Sequence, residues 1–295
     1  MGRRDWGWLA VLSLLWGGSF LFVEVALRGL PPLAVVWCRV AGGAVLLAGV
    51  LRLTGAGLPC GGRVWGALAV MGVLNNAVPF TLFALAQGQL AGGVAAILNA
   101  MTPVLTVLAL AVLAGERPGA GRLAGVLAGF AGVAVMMGGA LEGEGWAKLM
   151  CLGAAGSYAL ASVWARRFGA MGLAPVVVAF GQCATAAVLL FPVLMVGRVW
   201  EGVSAGPEVW LAVAGLASLS TALAYVIFFR LMASAGPVNV QLVTFLIPVS
   251  AVAMGVMLLG ERIEARHLAG AALIGLGLVA IDGRVAGWLR ARVSR

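Results

Sequence analysis

The chain has 295 residues, 63% of them hydrophobic and only 10% charged, with a mean hydropathy of +1.09. Soluble domains carry about 25% charged residues, so a water-soluble fold is excluded and the bilayer is the solvent for most of this chain. The net charge of +9 comes without a basic stripe or a recognition motif, which argues against a nucleic-acid partner and for basic loops at anionic lipid headgroups.

In lipid every backbone N–H and C=O needs an internal partner, so only helices and closed barrels span. Barrel strands read as short alternating segments; the apolar runs here are long and continuous, which selects helices. About 20 apolar residues cross a hydrocarbon core of about 30 Å. Breaks at Gly, Pro and charged clusters place ten spans near 6–27, 32–51, 65–86, 93–114, 121–139, 146–165, 174–197, 208–231, 237–259 and 266–283. Arg3 and Arg4 before the first run resemble a secretory signal, but Glu24 and Arg28 stand where cleavage needs small residues, so the first span is expected to remain uncleaved.

With the N-terminus inside, thirteen Arg fall in cytoplasmic segments, against five basic residues outside: Arg28, Lys148, Arg198, Arg262 and Arg266. This bias predicts both termini in the cytoplasm. Trp6, Trp8, Trp65, Trp146, Trp200 and Trp210 lie near span ends and read as headgroup-level anchors. Cys38, Cys60, Cys151 and Cys183 form no CxxC pair and read as free thiols. Gly121, Gly125 and Gly129 form a small-residue stripe for close helix packing within the protomer, and His267 reads as a solvated span-end residue.

The two halves resemble each other. Gly115-Glu116-Arg117 recurs as Gly260-Glu261-Arg262, 145 residues on, and the same offset relates Pro103 to Pro248, Trp65 to Trp210 and Phe83 to Phe228. Earlier in each half, Ala44-Val45-Leu46-Leu47 recurs as Ala187-Val188-Leu189-Leu190 at an offset of 143. Five spans per half is an odd number, so the second half enters the membrane inverted. Inverted repeats are a transporter device: two similar halves exchange conformations and expose a midplane site to each side in turn. The sequence therefore predicts an all-α integral membrane protein. Its ten transmembrane helices form two inverted five-helix repeats, 1–142 and 143–295, around a central cavity in one membrane domain.

The motifs resemble the drug/metabolite transporter superfamily in its EamA-type branch. Trp16-Gly17-Gly18-Ser19-Phe20 is similar to that family's opening signature, Arg39 stands where the family often carries an Arg, and the block from Ala84 through Pro103 to Glu116-Arg117 is its most recognisable stretch. The resemblance covers essentially the whole chain. It implies a basket of ten helices and export of amino acids, other metabolites or organic cations across a bacterial inner membrane.

Polar groups in lipid are costly and mark function. Asn75 and Asn76 lie mid-span, and 145 residues on stand Ser220 and Thr221; Asn99 maps likewise to Thr244. Pro103, Pro248 and Pro79 each deprive the carbonyl four residues earlier of its donor, those of Asn99, Thr244 and Asn75. The polar wall of a substrate site is thus expected from Asn75, Asn76, Asn99, Ser220, Thr221 and Thr244, with Trp16, Tyr158 and Tyr225 as aromatic surfaces. Glu24 lies about 8–10 Å along the helices from the Pro31-Pro32 turn, and Arg39 at a similar depth on the next span. A structural ion pair between them is expected; the functional alternatives are a carboxylate bound by Arg39 or a proton site at Glu24.

These features point to a secondary transporter of small molecules, monomeric among membrane lipids, with no metal, cofactor or catalytic residue expected. A membrane-embedded enzyme would need convergent acids, bases or ligands, and a channel would need a charge ring or filter loop. No GxxxxGK[ST] motif marks ATP hydrolysis.

Overall fold

The computed structural model describes residues 2–137, 144–201, 203–235, 240 and 242–282. Among these all regular structure is helical. In chain order the helices are α1 (Arg3–Ala26), α2 (Pro32–Thr54), α3 (Gly62–Gln87), α4 (Gly92–Leu113), α5 (Ala120–Met137), α6 (Gly145–Ala170), α7 (Pro175–Val196), α8 (Pro207–Ala235), α9 (Val243–Met254, continuing through Gly255–Leu259) and α10 (Ala265–Asp282). Six of them, α1 to α4, α7 and α8, are long and apolar enough to cross a membrane, and α5, α9 and α10 contain shorter apolar stretches.

Local chemistry explains the boundaries. Pro32, Pro175 and Pro207 open α2, α7 and α8, where the missing N–H costs nothing. Gly55, Gly115 and Gly260 end α2, α4 and α9 with φ near +67°, a left-handed turn that glycine adopts without a Cβ penalty. The helix α6 runs to Ala170, past the expected end near 165. The basic turn there stays helical because the Arg167 guanidinium lies 3.4 Å from the Trp164 ring centre, and cations are favoured at a helix C-terminus.

Apolar side chains face outward as well as inward. Leu53, Val112, Val196 and Met257 are more than four-fifths exposed, a surface that only lipid satisfies. Inside, α1 packs on α8 and α9, α6 on α3 and α4, α2 on α7 and α8, α3 on α7, and α5 on α10. Lipid tails are as apolar as leucine, so close fit holds these contacts together more than water exclusion does. At the α5–α10 crossing a Cβ on Gly125 would lie 2.5 Å from the Gly277 carbonyl, and one on Gly132 would lie 2.7 Å from that of Gly270. The glycine stripe therefore serves intramolecular packing. His267 is buried rather than solvated, its Nδ1 accepting from the Glu264 N–H at 3.3 Å.

Candidate functional site

Both α3 and α8 are interrupted by a π-helical turn, at Val73–Ala77 and at Ser218–Leu223. A π turn inserts one residue, loosens backbone pairing and is common at functional sites. Polar side chains recapture the loosened carbonyls: Ser157 Oγ donates to Leu74 O at 2.6 Å and Thr221 Oγ1 to Leu216 O at 2.8 Å. Pro79 follows the first turn, but Ala224 occupies the matching place after the second, so the proline is not what makes the turn. Asn75, Asn76, Ser220 and Thr221 all lie within these two turns.

The turns flank a cavity of about 620 Å³. Its deep end is closed by buried Phe20, Phe83, Val35 and Val36. At the other end the lining reaches exposed Ser162, Gly169 and Pro175, where α6 meets α7. Among the residues singled out from sequence, the structure brings Trp16, Asn75, Asn99, Tyr158, Ser220, Thr221, Tyr225 and Thr244 together on its wall.

Asn76 is not on that wall. It is fully buried and donates to Cys183 Sγ at 3.4 Å, between α3 and α7. Successive helical residues point about 100° apart, and here that rotation turns Asn76 away from the cavity and onto α7. Ser220 touches the cavity, but its hydroxyl donates to Leu15 O at 2.7 Å and ties α8 to α1. The Asn99 carbonyl, expected free opposite Pro103, accepts from Thr102 Oγ1 at 2.8 Å, where α4 breaks between Asn99 and Thr102.

Glu24 and Arg39 do not pair. Arg39 Nε donates to Thr221 Oγ1 at 3.2 Å and its guanidinium carbon lies 3.7 Å from the Phe80 ring centre. Glu24 turns instead to α4, where its Oε2 lies 3.4 Å from the Gly92 nitrogen. Shared depth on neighbouring helices says nothing about which face each residue occupies.

Sequence reasoning missed several groups. Gln182 lines the cavity and accepts from Asn75 Nδ2 at 2.9 Å, and the same Nδ2 lies 3.3 Å from Tyr225 Oη. The signal was present, since Gln182 stands 143 residues after Arg39, the offset that relates the two Ala-Val-Leu-Leu stretches. Also missed was Glu261, whose Oε1 and Oε2 accept from the Gly92 and Gly93 amides at 2.8 and 3.0 Å. This closes the contact between the α4 N-terminus and the α9–α10 loop, next to the deep end of the cavity. Among the described residues no cluster of His, Cys, Asp and Glu is arranged to hold a metal ion.

The profile of the EamA-like transporter family matches residues 6–138 and 145–281. The chain belongs to that family. It is a multi-pass membrane transporter, as the apolar helices require. It is 28% identical over 262 residues to the uncharacterized inner membrane transporter YedA of Escherichia coli K12, covering 88% of this chain and 84% of that one. It is also 28% identical over 306 residues to a Salmonella typhimurium protein named "Probable amino-acid metabolite efflux pump", covering 94% of both. A solved structure titled "Crystal structure of protein" superposes with a TM-score of 0.68 at 21% identity, over 95% of this chain and 98% of the other, and so shares its fold.

Proposed function

We propose that the chain exports small metabolites from a bacterial cytoplasm across the inner membrane, by alternating access of two inverted five-helix repeats, 1–142 and 143–295. The observation that carries this reading is the cavity, open at the α6–α7 end and closed at the other by Phe20, Phe83, Val35 and Val36, next to which Glu261 joins the α4 N-terminus to the α9–α10 loop.

Several features support the inversion. The π turns of α3 and α8 begin 145 residues apart. The helix packing maps onto itself when each helix is exchanged for the one five places on: α1 on α8 and α9 becomes α6 on α3 and α4. Gly125 meets Gly277 while Gly132 meets Gly270, and 270 and 277 are 125 and 132 advanced by 145. Such reciprocal contacts are what a two-fold axis produces, and rising numbers in α5 meet falling numbers in α10, so the pair is antiparallel.

The closure is not duplicated. Glu116, the counterpart of Glu261, pairs with Arg166 at 3.0 Å on an exposed surface. Residue 237, the counterpart of Gly92, is a proline with no N–H to offer. With the arginine-rich ends inside, the open end of the cavity faces the cytoplasm, the loading state of an exporter. The names of the relatives favour export and metabolites as cargo. The test is counterflow in proteoliposomes, screened over amino acids, organic acids and organic amines. Accumulation of labelled compound only in vesicles carrying the protein is the expected result, and equal signal in empty vesicles across the screen would overturn the reading.

A further inference from the structure

Among the described residues the cavity is lined by one charged side chain, and no acid there balances it. Arg39 is 8% exposed and lines the cavity in mid-protein. Its Nε bonds to Thr221 Oγ1 and its flat face covers the Phe80 ring. The ionisable groups near it are Tyr158, Tyr225 and Cys183, and no Asp or Glu lines the cavity among the described residues. Neither terminal guanidinium nitrogen has a hydrogen bond among the described residues. A buried charge without a partner is costly, and a transporter tolerates one where the cargo supplies the partner.

The repeat shows that packing does not require this charge. The counterpart niche on α7 is filled by Gln182, a neutral amide whose Oε1 accepts from Asn75. The two halves thus place matched polar groups on the neighbouring helices α2 and α7, and only one of them is ionic. Arginine's planar fork binds a carboxylate through two parallel hydrogen bonds. Around it stand apolar rings: Phe83 stacks on Tyr158 at 6.2 Å and Tyr225 on Phe229 at 6.1 Å.

We propose that Arg39 anchors the carboxylate of the cargo, so that the cavity takes organic acids and zwitterions with a compact apolar body and turns away organic cations. This rests on the transport reading above and decides between two cargo classes which that reading leaves open. An amine entering the cavity would find no counter-charge and would face the guanidinium; the carboxylate, and not the ammonium, is the group recognised.

The test uses four compounds with one body: 3-phenylpropionate, phenylalanine, phenylalaninamide and phenethylamine. Binding to the purified protein is read by ligand-induced thermal stabilisation and calorimetry, and movement by uptake into proteoliposomes. The two carboxylates are expected to bind at least about tenfold tighter than the amide and the amine, the scale of a charge-assisted hydrogen bond. Arg39→Gln, which installs the residue of the other half, should abolish this preference without lowering the melting temperature of the empty protein, and Arg39→Lys should retain part of it. Tighter binding of the amine, an unchanged preference in Arg39→Gln, or no binding by any of the four overturns the proposal. If the amine is transported, the transport reading stands while the carboxylate anchor falls. If the acids bind through Arg39 but none of the four crosses the membrane, the anchor stands and the transport reading falls.

Discussion

The Glu261 carboxylate sits on two consecutive amides at the start of α4, with Oε1 2.8 Å from the Gly92 nitrogen and Oε2 3.0 Å from that of Gly93. A Cβ on Gly93 would stand 3.0 Å from Oε2, and one on Gly255 would also run into the carboxylate, so small residues shape its seat. Charge-assisted bonds to a helix N-terminus are among the stronger ones. Glu261→Ala should destabilise the protein by about 1–3 kcal/mol. It should also speed modification of a cysteine placed at Val23, in the cavity, by a thiol reagent added from the outer side. An unchanged labelling rate would mean that Glu261 does not hold that end shut.

The α5–α10 crossing predicts a sharp difference within one glycine stripe. Gly125→Ala should cost about 1–3 kcal/mol, because its Cβ would meet not only the Ile281 side chain at 2.6 Å but also backbone that cannot move aside, the Gly277 carbonyl at 2.5 Å and the Ile281 nitrogen at 3.1 Å. At Gly121 the nearest atom to an added Cβ is the Ala280 carbonyl at 3.7 Å, an ordinary contact, so Gly121→Ala should stay within about 0.5 kcal/mol. Melting curves in detergent distinguish the two; equal effects would contradict the crossing geometry.

Glu24 and Arg39 share no partner. Their single changes to Gln should therefore add in the double variant to within about 0.5 kcal/mol. A large recovery in the double variant would mean that the two charges meet in the native state.

Asn99 and Thr244 line the cavity at matched places in the two halves. Alanine at either position is expected to slow uptake in vesicles severalfold while leaving expression and melting temperature nearly unchanged. Normal transport by both variants would remove them from the site.

Membrane orientation is checked by single cysteines on a thiol-free background. Position 264, between α9 and α10, should react with an impermeant reagent from outside, and position 172, between α6 and α7, only after the membrane is opened. The reverse pattern would invert the topology and turn the open end of the cavity outward.

The spans are legible in the sequence because they depend on local quantities. An apolar run of the right length, begun by Pro32, Pro175 or Pro207 and ended by Gly55, Gly115 or Gly260, leaves the backbone few alternatives in lipid. Described helix ends lie within a few residues of those expected, and α6 overruns only because Arg167 finds the Trp164 face. The offset of 145 likewise marks Asn75 with Ser220 and Asn99 with Thr244, and all four line the cavity.

What no stretch of sequence could supply was direction around each helix. Depth follows from counting residues at about 1.5 Å each, but facing depends on rotation of about 100° per residue, and a π turn resets that rotation without a local sequence mark. That is why Asn75 faces the cavity while Asn76 meets Cys183, and why Arg39 and Glu24 share a depth and no contact. The seat of Glu261 joins residues 169 and 168 positions apart, a pairing settled only when the helices pack. Sequence determined which segments enter the lipid; tertiary packing decided which of their polar groups were satisfied by one another, and left the Arg39 guanidinium without a counter-charge among the described residues.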